Sequence, residues 1–292
     1  MDDLPQEVHL AIRLKILGSA GVSPAFPLLF QAIAFWPVWR WYAARVSDSS
    51  DDAWGWVALL TAAILLIRFQ SESNPQTSQP NLLLPALLTL AYAVSFPIVS
   101  PLPRALLAMT AIGATLSIYC FRSKLQLSFC GLLLLSLPVM ASMQFYLGYP
   151  LRSAVTILAA PMLQLGGLAV VPEGACLNWS GQLISVDAPC SGVKMLWTGT
   201  FLCFTLACWF RLNWQRTIAA AALSVAAIVL GNTIRAVALF YLETDLLPLP
   251  ERFSDTAHST IGVTMFLLTA IAIAGLSRKA AVFKLKIQTG LT

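Results

Sequence analysis

Charge is scarce in this chain. Asp, Glu, Lys and Arg make up 11% of its 292 residues, against about 25% in soluble domains. Together with 58% hydrophobic residues and a mean hydropathy of +0.76, this excludes a water-soluble globule built on one buried core. Histidine is scarcer still. Only His9 and His258 occur, too few for a histidine-built metal centre, so neither a metal nor a cofactor is expected. The six cysteines show no C-x-x-C spacing, which leaves out zinc knuckles and thioredoxin-type redox pairs. Basic residues never cluster into a groove-sized patch. The net charge of +5 is spread over helix ends and the tail SRKAAVFKLKIQTGLT, so no nucleic-acid partner is expected. The opening MDDLPQEVHLAIRLKIL has acids first and no small-residue cleavage site. The first spanning helix is therefore expected to direct insertion itself. No internal repeat is visible.

What the chain has instead is apolar length. A helix needs about 20 apolar residues to cross the hydrocarbon layer. Nine stretches qualify or nearly qualify: 17–39, 54–69, 82–99, 102–121, 126–147, 151–171, 190–210, 217–242 and 258–276. The expected fold is an all-α, polytopic transmembrane helix bundle of about eight or nine spanning helices, in contact with membrane lipid. Prolines inside several of them are tolerable where neighbouring helices satisfy the freed carbonyls. Arg278, Lys279, Lys284 and Lys286 follow the last stretch, which puts the C-terminal tail, 277–292, in the cytoplasm. RLNWQR, with Arg211 and Arg216, then falls inside. The acidic segments PEGACLNWSGQLISVDAP and ETDLLPLPERFSDTA fall outside. Arg122 and Lys124 break this alternation in the N-terminal half.

Ionisable groups within spanning helices cost about 2.5–3.5 kcal/mol on insertion scales, so each needs a reason. One chemically capable group of this kind stands on each of the last three stretches. Cys190 is expected in the first turn of the helix 190–210, with Asp187 as its N-cap and Pro189 beside it. Among the unpaired N–H groups of a helix start, a thiol ionises more readily. Lys194 follows at i+4, and Ser191 and Gly192 leave room for a substrate backbone. Arg235 lies about seven residues, roughly 10 Å, below the outer end of its helix, with Asn232 on the same face. A permanently charged guanidinium suits an oxyanion. His258 is expected to open the helix 258–276, with Asp255 as cap or orienter and Gly262 clearing space one turn on. Imidazole can take a thiol proton and return one to a leaving amine. Cys190, Arg235 and His258 thus read as nucleophile, oxyanion donor and acid–base group near one membrane face.

Each has a plainer reading. Cys190 packs, or pairs with Cys176 as a disulfide in an oxidising compartment. Arg235 snorkels or pairs with Glu243. His258 caps or packs, and Lys194 snorkels. Cys120, Cys130, Cys203 and Cys208 lie in apolar runs and are expected to pack there. It is the conjunction on three successive helices that favours chemistry.

CSG at Cys190–Gly192, NTIR at Asn232–Arg235 and HSTIG at His258–Gly262, in that order on successive helices, resemble the exosortase family, with the archaeosortases as more distant relatives. The resemblance covers roughly 145–276. It implies a membrane-embedded cysteine transpeptidase with Cys190, Arg235 and His258 as its catalytic residues, working through a Cys thioester. The implied partners are exported proteins with a C-terminal sorting signal (motif, membrane helix, basic cluster) and an unidentified acceptor. The implied location is the inner membrane, with the site at the extracytoplasmic face and an association with exopolysaccharide clusters. Residues 1–144 match only as generic membrane helices. Lys194 stands where the family commonly carries arginine, and a proline directly before the cysteine is less typical. A polytopic transporter, a non-catalytic subunit of an exopolysaccharide export system, and a protease with water as acceptor are the alternatives.

Overall fold

The computed structural model describes residues 24–47, 54–71, 80–121, 125–186, 192–244, 246–247 and 250–289. His9, the start of the expected 17–39 span, and the Arg122/Lys124 pair lie outside these residues. Ten helices and three short strands occur among them, in the order α1 (Ala25–Ala34), α2 (Trp36–Ser47), α3 (Gly55–Ser71), α4 (Leu83–Ser95), α5 (Pro101–Cys120), α6 (Leu127–Leu135), α7 (Met140–Leu165), β1 (Val170–Glu173), β2 (Cys176–Trp179), β3 (Gln182–Ser185), α8 (Val193–Trp209), α9 (Trp214–Glu243) and α10 (Glu251–Thr289). The all-α membrane architecture is as expected.

Among the described residues, three helical segments are long and apolar enough to span a bilayer: Pro101–Cys120, Trp214–Glu243 and Phe253–Val282. The bent pair α6–α7 would make a fourth, and Ala25–Ala34, Gly55–Phe69, Leu83–Ser95 and Val193–Trp209 are shorter apolar helices. The boundaries differ from expectation at one proline. The sequence suggested a break near Pro150, but α7 runs through both Pro150 and Pro161. The break instead falls at 136–139, where α6 and α7 meet at 100°. Pro138 sits in that break; proline disfavours helical geometry in the residue before it and withholds its own N–H.

The chain forms two compact units, with the division at Gln126/Leu127 and residues 45–62 joining the second unit. In the first, α4 packs on α5. A run of small buried residues on α5 (Ala105, Ala108, Ala111, Ala114) permits close helix approach. The buried Gln31 of α1 is held at both ends of its amide: its Nε2 donates to Thr89 Oγ1 (3.3 Å) and its Oε1 accepts from Thr115 Oγ1 (3.0 Å).

The second unit holds all three motifs. Its centre is α9, which packs against α7, α8 and α10. Asn213 starts α9, its Oδ1 accepting the Arg216 N–H at 3.0 Å, as an N-cap should. Small residues set the helix spacing. A Cβ on Gly199 of α8 would stand 2.6 Å from Ile228 of α9 and 3.1 Å from Ile273 of α10, and the Thr269 hydroxyl of α10 fills the space that a Cβ on Gly231 would need. The outward side of α10 (Val263, Leu267, Leu268, Ile271) is exposed and apolar, as a hydrocarbon-facing surface is.

The acidic segment expected as a plain loop is an antiparallel meander, β1-β2-β3. Ser180 and Gly181 both take positive φ (53° and 82°), the backbone of a two-residue hairpin turn. The sheet sits on the C-terminal ends of α7 and α9. Val170 and Leu177 are buried with Ala159, Ala160, Leu163 and Phe240, and the Trp179 and Phe240 rings meet edge to face at 6.0 Å. Thr156 Oγ1 of α7 donates to the Gly174 carbonyl at 2.7 Å.

Candidate active site

The site is assembled at the end of the second unit that carries the sheet. Helix α8 begins at Val193, with Gly192 as N-cap in the left-handed region (φ 80°). This corrects the expected helix start. The described helix starts three positions later in the sequence than the expected start at Cys190, and its N-cap is Gly192 where Asp187 was expected. Asp187, Pro189, Cys190 and Ser191 themselves lie outside the described residues. Cys176, in β2, is a free cysteine. Cys130, Cys203 and Cys208 are buried, as expected of packing residues.

Gly192 itself lies against α9. A Cβ built on it would stand 2.7 Å from Asn232 Nδ2 and 2.9 Å from Asn232 Cγ, so the Asn232 carboxamide lies directly on the Gly192 backbone. Asn232 is buried, 3% exposed. Burying a primary amide in a membrane helix is costly, which marks Asn232 as a residue with a task.

One turn further along α9, Arg235 is half-buried and faces α10. Its Nε and Nη2 would stand 3.6 Å from a Cβ on Gly262. Gly262 and His258 are four residues apart, one turn along the same helix face. The second correction concerns this helix. α10 begins at Glu251, not at His258, so His258 sits about 10 Å inside it and Asp255 is within the helix, not before it. Because Arg235 faces Gly262, His258 lies about one turn, roughly 6 Å, nearer the start of α10 than that contact; Arg235 itself lies eight residues, roughly 12 Å, from the end of α9 at Glu243. His258 is half-buried and Asp255 exposed.

Lys194 is exposed, between the buried Val193 and Met195, so its side chain leaves the helix on the side away from the core. Below the site, an apolar cavity of about 320 Å³ is lined by Trp54, Met195, Trp197, Phe266, Thr269 and Ile273 among others. Met195 and Phe266 lie one turn from Gly192 and Gly262, so hydrocarbon space adjoins the polar cluster. Two contributors were not foreseen. Thr269 packs into Gly231, a pairing visible in sequence only as a small residue and a hydroxyl on separate helices. The meander adjoins the site through Ser185 and Val186, which line a small pocket with Ala236, Leu239 and Glu243 of α9.

These contacts define a class: a polytopic helical membrane protein whose last two helices bring an amide, a guanidinium and an imidazole to one end of the bundle. The family model described as transmembrane exosortase matches residues 25–275, and the chain belongs to that family. Membership carries the general role of a membrane transpeptidase acting on exported proteins with C-terminal sorting signals. No curated protein and no solved structure matches the chain.

Proposed function

We propose that the chain cleaves the C-terminal sorting signal of exported proteins through a Cys190 thioester and passes the acyl group to an acceptor. The observation that carries this reading is the pair of glycine contacts. Asn232 lies on Gly192, two residues from Cys190, and Arg235 lies on Gly262, one turn from His258. One face of α9 therefore bridges the nucleophile segment and the histidine helix.

In the proposed sequence, His258 takes the Cys190 proton and the sulfur adds to the scissile carbonyl. The carbonyl electrons move onto oxygen, where the Arg235 guanidinium, aimed by Asn232, stabilises the charge. Collapse of the adduct breaks the C–N bond, and His258 gives its proton to the departing amine. The acceptor nucleophile then loses a proton to His258 and attacks the thioester, releasing the sulfur. Asp255 orients the imidazole. Ser191 and Gly192 keep the approach to the sulfur open, and Lys194 adds positive potential at the mouth. The substrate's membrane helix supplies binding energy remote from the reacting bond. The enzyme sits in the inner membrane with this end extracytoplasmic. Arg211 and Arg216 lie at the opposite end of the bundle and α10 runs away from the site towards its basic tail, which fits a cytoplasmic C-terminus.

The test is processing of an exported reporter fused to a motif–helix–basic tail from the same genome. Cys190→Ala is expected to abolish cleavage while the protein stays in the membrane at normal abundance. Continued cleavage would overturn the mechanism. Appearance of a hydroxamate on adding hydroxylamine to the wild type would report the thioester.

A further inference from the structure

The two edges of the meander are built differently. Each two-residue turn makes its flanking residues a mutually hydrogen-bonded pair, and bonding direction then alternates along the strands. With Glu173 opposite Cys176, the outward-directed residues of β1 are Val170 and Pro172. That edge is closed. The Val170 N–H donates to Leu168 O at 3.0 Å, its carbonyl accepts from Gln164 Nε2 at 2.8 Å, and Pro172 has no N–H to offer. Proline is a common way to blunt a sheet edge.

The edge of β3 is open. Trp179 pairs with Gln182 across the second turn, so Gln182 and Ile184 bond inward to β2, and Val186 does the same through Ala175 O at 3.0 Å. Leu183 and Ser185 turn their N–H and C=O groups outward. Among the described residues nothing pairs with them, and the Leu183 side chain is 61% exposed. This edge also leads to the site. Ser185 and Val186 line a pocket with Ala236, Leu239 and Glu243, which share one stripe of α9 with Asn232. Cys190 follows Ser185 by five residues.

We infer that the open edge of β3 is the substrate-recognition strand. The extended segment of the exported protein that precedes its membrane helix adds as a fourth strand along Leu183–Ser185, hydrogen-bonding through its own backbone. Strand addition of this kind takes affinity from main-chain bonds and specificity from alternate side chains. It would hold the peptide about 4.8 Å from β3. The inference rests on the proposed peptidase reading and adds where that enzyme holds its peptide.

The experiment uses the full-length protein in its membrane and the tailed reporter. Leu183→Pro and Ser185→Pro each delete one outward N–H without touching the bonds to β2. Each is expected to lower processing at least tenfold, while Gln182→Ala leaves it unchanged. A benzoylphenylalanine at position 183, in the Cys190→Ala background, is expected to cross-link the reporter in the segment before its membrane helix. Normal processing by both proline variants, or cross-linking confined to the reporter's membrane helix, would overturn the inference while loss of processing in Cys190→Ala still upheld the peptidase. If the proline variants lose thiol labelling at Cys190, and so have misfolded, the cross-link alone decides: capture supports the edge, and no capture rejects it. Cleavage by Cys190→Ala would defeat the thioester mechanism and leave the cross-link to report on the edge.

Discussion

Gly192 carries two constraints at once. Its φ of 80° is a conformation that costs other residues about 1–3 kcal/mol, and its α-carbon faces the Asn232 amide too closely for a methyl group. Gly192→Ala is therefore expected to displace both the Cys-Ser-Gly segment and Asn232, with processing falling at least tenfold and membrane abundance near normal; reporter cleavage and immunoblotting check this. Gly262 carries only one. A Cβ there would meet the guanidinium at ordinary contact distance. Gly262→Ala is expected to process normally, whereas Gly262→Leu, whose branched end needs the volume that Arg235 occupies, is expected to lose activity. Equal activity in the two variants would remove Arg235 from the face of α10. At this scale the glycine contacts of Asn232 and Arg235 fall on residues that the sequence singles out, while Cys190 lies outside the described residues. A thiol, an amide, a guanidinium and an imidazole in a chain with only 11% charged residues stand out because each is expensive in lipid. The exposure of Lys194 was not legible, because i+4 spacing from Cys190 implies a shared face only if the helix has already begun at Cys190.

Elements were legible in proportion to their length. α5 and α9 follow apolar runs closely, since a 20-residue stretch has one cheap solution in a bilayer. The meander was missed because its strands are four residues each, too short for alternation to rise above a polar loop. The start of α10 was missed because Glu251, Arg252 and Asp255 look like loop residues, although a helix that projects into water takes them readily. Thr156, with Gln164, is one of two side chains of α7 whose hydrogen bonds tie it to the meander. Its hydroxyl donates to the Gly174 carbonyl at 2.7 Å and to the Ser153 carbonyl at 2.9 Å. Thr156→Val keeps the shape and removes the donor, a loss of about 1 kcal/mol. Hydrogen exchange over 170–186 is expected to speed up roughly fivefold, with α9 unchanged; unchanged exchange in the meander would show that its apolar seat suffices.

At the scale of the whole molecule, every group assigned to the chemistry comes from the second unit. Topology follows from the proposed orientation. In a Cys176→Ser/Cys190→Ala background, Leu183→Cys is expected to react with an impermeant maleimide on intact spheroplasts, and Arg278→Cys only after permeabilisation. The reverse pattern would place the site on the cytoplasmic side and end the proposal for exported substrates. Finally, the Thr269 hydroxyl seated in the Gly231 notch has a bearing on precision. Sliding α10 by one residue means a 1.5 Å shift and a 100° turn, which would swing Gly262 and the imidazole one turn from it together away from Arg235. That slip cannot start without first lifting a threonine out of its socket two turns deeper, among hydrocarbon. Alignment at the wet end is thus enforced from the dry end, and Gly231→Ala, remote from any bond being broken, should blunt turnover as surely as a lesion beside the sulfur.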